Sequence, residues 1–171
     1  MFEDVQTPQD IEDKMKELRD TSCSGLSAVQ FSEFARRVAS IIPREGGMRR
    51  GIVNRLGELW TSVRFGLKLM PEGTKGYDAV DTTGRLGARD KWYQIKSRHP
   101  EKGERVNPMG TTPRFTSLEF NWALLVLMDK DLQNYEIWRA APASISKHLR
   151  TGRNDMHVLQ FQTIGHLVYS S

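Results

Sequence analysis

Gly76-Tyr77-Asp78-Ala79-Val80-Asp81 and, ten residues on, Trp92-Tyr93-Gln94-Ile95-Lys96-Ser97-Arg98 decide how this chain is read. Both runs alternate in the two-residue period of a strand, and a Gly- and Arg-containing turn, GRLGARD, joins them. Strands over 77–83 and 91–98 are expected to pair as a hairpin, because so short a connection disfavours a crossover. On a strand Gln94 and Lys96 share one face while Ile95 points to the other, into the core. Asp78 faces the same way as Val80, so pairing brings a carboxylate to an amide oxygen and an ammonium group. A carboxylate and an amide oxygen are hard ligands suited to Mg²⁺, which keeps several of its waters. A lysine beside such an ion can orient or deprotonate an attacking water and offset charge on a phosphorane-like transition state.

Upstream, the apolar spacing changes to that of helices. Thr7-Pro8 opens one with Ile11, Met15 and Leu18 on a single face, and TSCSG at 21–25 breaks it. Ser27 and Gln30 form a capping box for a second helix, which packs through Phe31, Phe34 and Val38 and ends at PREGG, 43–47. A third runs from about Arg49 to Phe65 on a stripe of Ile52, Leu56, Leu59, Trp60 and Val63. Downstream, WALLVLM at 122–128 is short enough for a strand buried on both faces. YEIWRAA reads as another strand and ASISKHLR, 143–150, as a helix. HVLQFQTIGHLVYSS reads as one or two closing strands. The fold class is α/β: a mixed central sheet flanked by helices. Residues 1–48 form an N-terminal helical segment packed on a core of 49–171, one compact domain overall.

At 171 residues with a net charge of +4, the chain has the size of one domain. No apolar run approaches the ~18–20 residues of a membrane span. The acidic start lacks the basic-then-apolar order of a signal peptide. The single Cys23 excludes an internal disulfide framework and any multi-cysteine metal site. A cytoplasmic protein with no membrane attachment is therefore expected. Charge is unevenly spread: residues 44–114 hold 15 Lys/Arg against 8 Asp/Glu, whereas the first 20 residues hold 7 acids. A basic middle of this kind points to a polyanion partner or to a mixed solvated surface. Residues 99–113 are polar, with three prolines and two glycines, and a loop of that length is more often functional than incidental.

The pattern of Asp78, then Gln94-Ile95-Lys96, with Glu58 in GELW on the preceding helix, resembles the PD-(D/E)xK nuclease superfamily. The Gln-x-Lys variant resembles Mrr-type restriction endonucleases, and Ser97-Arg98 resembles members that read VKSR. The resemblance spans roughly 50–140 and implies a restriction-endonuclease-like core and Mg²⁺-dependent hydrolysis of DNA phosphodiester bonds, with Mn²⁺ as a substitute. It implies Asp78, Gln94, Lys96 and Glu58 as catalytic residues, and Asp78, Gln94 and Glu58 as metal ligands. Two departures matter. Gln94 is neutral where the commoner pattern has glutamate, which lowers the negative charge on the ion. Glu58 lies off its helix's apolar stripe, with Arg55 and Ser62, so a ligand and a solvated acid both remain open.

Arg85 and Arg89 in the hairpin turn, with Arg98, Lys102, Arg105 and Arg114 around the long loop, flank the proposed site as phosphate contacts or as a solvated basic rim. Asp81, opposite in face to Asp78, is expected at the surface. His99, His148, His157 and His166 show no ligand spacing, and the four tryptophans are expected as core or half-buried packing. The leading function is a restriction- or defence-type endonuclease acting on duplex DNA. A non-catalytic nucleic-acid-binding module that keeps the nuclease fold is the alternative, and a protein-interaction domain a third. With little room for a separate sequence-reading domain, specificity would come from loops, a homodimer or a partner subunit.

Overall fold

A computed structural model describes residues 2–44, 46–99 and 110–171. Three helices come first: α1 (Pro8–Asp20), α2 (Ala28–Ile41) and α3 (Gly47–Phe65). Capping boxes close the first turns of α1 and α2, where the Thr7 and Ser27 hydroxyls accept from the amides of Asp10 and Gln30. Gly66 ends α3 in the left-handed region at φ 67°, and its amide donates to the Ser62 carbonyl.

The six strands are β1 (Lys68–Leu69), β2 (Ala79–Asp81), β3 (Lys91–Arg98), β4 (Trp122–Met128), β5 (Tyr135–Ala140) and β6 (His166–Ser170). They form one sheet in sequence order. Every neighbouring pair is antiparallel except β3 with β4, so the sheet is mixed but mostly antiparallel. The expected hairpin is present, with Val80 opposite Trp92, although β2 is only three residues long. The stretch 143–150 forms a shorter helix than its pattern indicates, α4 (Pro142–Ser146). The closing segment differs more: Val158–Ile164 is a helix, α5, and only His166–Ser170 is a strand. Val158 and Phe161, three apart, are the buried residues of α5. That spacing fits one helix face, and over seven residues it is too brief to separate from a strand pattern.

Both faces of the sheet are covered, which accounts for the unbroken apolar run of β4. Leu124 and Val126 pack with Tyr93, Ile95 and Ile137 under the three N-terminal helices, among Phe31, Phe34, Leu56 and Trp60. Ala123, Leu125 and Leu127 face the other way, against Phe115, Phe120, Ile145, Val158 and Phe161. Burial on both faces removes the polar alternation that a half-exposed strand would show. Among the described residues no helix is long and apolar enough to cross a membrane.

The hairpin turn is organised by Asp81, which is fully buried rather than at the surface. Its Oδ1 accepts from the amides of Thr83 (2.9 Å) and Gly84 (2.6 Å) and from the Thr83 hydroxyl (2.9 Å). Its Oδ2 accepts from the Leu86 amide at 3.0 Å. Burial alone would raise this carboxyl's pKa, but the hydrogen bonds from Leu86, Gly84 and Thr83 outweigh it and hold the group below the ordinary carboxylate range. A depressed folded-state pKa contributes stability above the unfolded value of about 3.9, lost as pH falls through the folded value. Asp81→Ala is therefore expected to cost about 2–3 kcal/mol at neutral pH. The gap between the two proteins should narrow in urea melts below about pH 4. A pH-independent difference would show that the carboxylate charge is not what holds the turn.

Candidate active site

The register of β2 on β3 sets Asp78, one residue before β2, across from Gln94. The Asp78 amide donates to the Tyr93 carbonyl at 2.8 Å, extending the ladder by that residue. Asp78 Oδ2 accepts from the Ile95 amide at 2.6 Å and from Gln94 Nε2. The Asp78 side chain is thus clamped by both partners on β3. With Nε2 and Oδ2 engaged with each other, the second carboxylate oxygen, Asp78 Oδ1, and the single amide oxygen, Gln94 Oε1, are left for another ligand.

Lys96 is on the same face, half-buried, with Nζ 5.9 Å from the centre of the Phe115 ring. Burial pushes its pKa below the ordinary lysine value, and the Asp78 carboxylate opposes that push. Burial likewise raises the Asp78 pKa, against the Ile95 amide, the Lys96 charge, the Gln94 amide and the charge of Arg19. Each of the two groups thus carries a desolvation penalty that the other partly offsets.

Glu58 is not a solvated acid on an open helix face. α1 covers that face of α3, and the Glu58 carboxylate is ion-paired with Arg19. The Arg19 Nη2 also donates to the Met70 carbonyl at 2.6 Å. Arg55 of α3 pairs with Glu12 of α1 at 2.8 Å. Ser62 is buried, and its hydroxyl lies 2.8 Å from the Ser22 carbonyl and 2.7 Å from that of Leu67. Arg19 links the elements: it holds Glu58 on α3 and Met70 after β1, and its charge reaches Asp78. Nothing in the local pattern of α1 marks Arg19, because its partner lies 39 residues away.

The described basic residues run from the hairpin turn to the segment before β4. Arg85 and Arg89 are exposed in the turn, at the opposite end of β3 from Arg98. Arg114 is exposed next to Phe115, which covers Lys96. Lys102 and Arg105 lie outside the described residues. Of the tryptophans, Trp60 is buried and Trp122 and Trp138 are half-buried, but Trp92 keeps 46% of its surface exposed.

Among the described residues no three His, Cys, Asp or Glu side chains group as a metal site. The donors present are instead two neutral-plus-anionic oxygens, Asp78 Oδ1 and Gln94 Oε1, with Glu58 held by Arg19. The half-buried Asp78 carboxylate fits a cation, which would relieve the same desolvation that Lys96 relieves in part. Two protein oxygens completed by water suit Mg²⁺ better than an all-protein cage. Neither protein-family models nor curated proteins match the chain.

Proposed function

We propose that the chain is a metal-dependent nuclease that hydrolyses DNA phosphodiester bonds, with a restriction-endonuclease-like core and a role in restriction or defence. The observation that carries this reading is the cluster of Asp78, Gln94 and Lys96: a clamped carboxylate, an amide and a half-buried lysine on one sheet face. Asp78 Oδ1 and Gln94 Oε1 would hold a divalent cation such as Mg²⁺ or Mn²⁺, which supplies charge neutralisation at the phosphate and a more acidic water. Lys96 Nζ neutralises charge that builds on the phosphoryl oxygens and, with its lowered pKa, accepts and returns a proton at a lower pH than a free lysine does. The Ile95 amide and Gln94 Nε2 fix the Asp78 carboxylate, so no reorganisation is required of it during the reaction.

A second reading has its own support. Glu58 is engaged by Arg19 and Gln94 is neutral, so the negative charge available to a cation is that of Asp78. A nucleic-acid-binding module that keeps the fold without turnover accommodates both facts. Incubation with supercoiled and linear DNA separates the two. The nuclease converts supercoiled DNA to nicked or linear product with Mg²⁺ or Mn²⁺ and is silent in chelator. DNA binding with no cleavage under either metal leaves the binding module. Absence of both would leave a protein-interaction domain.

A further inference from the structure

Trp92 is the only aromatic among the large apolar side chains that are exposed in the described residues; the others are Val29, Met48, Leu159 and Leu167. Those four sit on other elements, α2, α3, α5 and β6. Its ring stacks on Tyr77, with centroids 4.9 Å apart and planes inclined by 11°. Tyr77 in turn packs against the core on that side of the sheet. The Trp92 backbone is held from both sides by Asn121: its amide donates to Asn121 Oδ1 at 2.8 Å, and its carbonyl accepts from the Asn121 amide at 3.0 Å. Trp92 is therefore a flat plane, backed by a second ring and anchored in the sheet, with nearly half its surface in water.

Its place in the strand gives this plane a ligand. Trp92, Gln94 and Lys96 alternate onto one face of β3, so Trp92 stands about 6.6 Å along the strand from Gln94. A strand whose phosphate lies at Asp78 and Lys96 has its neighbouring nucleotide at that reach. We propose that Trp92 on Tyr77 is a stacking platform for an unpaired nucleobase, so that the substrate is single-stranded, or locally opened, beside the scissile phosphate. This rests on the nuclease reading for the phosphate's position. Bases inside an intact duplex already stack on both sides and have no face to offer. A single exposed ring backed by a second suits one flat base, and stacking accepts any of the bases.

The test is binding in chelator, so that nothing is cut. Anisotropy is measured with a labelled oligothymidylate and with a closed-ended hairpin duplex, for wild type, Trp92→Leu and Trp92→Phe, each checked by circular dichroism. Trp92→Leu should weaken oligothymidylate binding about tenfold or more, Trp92→Phe should keep most of it, and duplex binding should not change. Wild-type tryptophan emission should be quenched by oligothymidylate and not by an abasic strand of the same length. That readout decides the matter if Trp92→Leu does not fold. Unaltered oligothymidylate affinity in Trp92→Leu, equal losses on both ligands, or quenching by the abasic strand would overturn the platform. So would failure to bind either ligand. Cleavage with metal that persists while Trp92 is indifferent sinks this inference alone. Trp92-dependent binding without cleavage sinks the nuclease reading and leaves the platform.

Discussion

In the proposed nuclease, Lys96→Ala is expected to lower metal-dependent DNA cleavage by about 10³-fold or more, because there it would remove both a charge at the transition state and a proton carrier. The fold should survive. Lys96 is half-buried, and burial already disfavours its charged form. Asp78→Asn should abolish cleavage to a similar extent, yet an asparagine oxygen can still accept from the Ile95 amide and from Gln94 Nε2. The sign of its stability effect follows from the raised Asp78 pKa. A carboxyl whose folded pKa lies above its unfolded value contributes stability at low pH that is lost as pH rises through the folded value. At neutral pH the wild type therefore bears a cost that Asp78→Asn lacks, and the variant should melt at an equal or higher temperature. Inactive but no less stable is the signature of a group retained for chemistry. Gln94→Glu adds a second carboxylate against Asp78, so Mn²⁺ affinity by paramagnetic resonance should rise and cleavage should be kept or increased. Activity of Lys96→Ala within tenfold of wild type would take the lysine out of the mechanism.

What was legible in the sequence was whatever repeats within a few residues. The apolar stripe of α3, the alternation of β3 and the double-sided run of β4 each declare their element and its buried face. From the hairpin alone Asp78 falls beside Gln94, since strand register is a local property. Short elements were not legible: β1 is two residues long, and α5 offers only two buried positions. Nor were partnerships between distant segments. Asp81 reads as a surface acid by strand alternation, but the turn folds four donors over it. Glu58 reads as free on its own helix, and only the packing of α1 on α3 supplies Arg19. Trp92 looks like another core aromatic until the start of β3 proves to be uncovered.

The approach of α3 to β3, which brings the Glu58 helix against the strand of the lysine, depends on one residue with no side chain. A Cβ on Gly57 would overlap Ser97 Oγ and lie 2.9 Å from Ser97 Cβ and 3.4 Å from Val126 Cβ. The oxygen can rotate aside, but the Ser97 Cβ and the β4 residue cannot move without their strands. Gly57→Ala should gain about 1 kcal/mol of helix propensity and lose more to overpacking, a net cost of about 2 kcal/mol. For a chain of this size that lowers the melting temperature by roughly 5 °C. Gly57→Val, with two further carbons to house, should cost about 4 kcal/mol or more, a large share of a domain's total stability. Ser97 tests the cause. Its hydroxyl is buried with no hydrogen-bond partner among the described residues, so Ser97→Ala alone should be neutral or stabilising. In the Gly57→Ala background Ser97→Ala should rescue partly, because the Cβ contact remains, and Ser97→Gly should rescue further. That order in a double-mutant cycle would identify the Gly57–Ser97 contact as the spacer between helix and strand. Additive effects at the two positions would mean that α3 is held off β3 by something else, and that Gly57 is there for another reason.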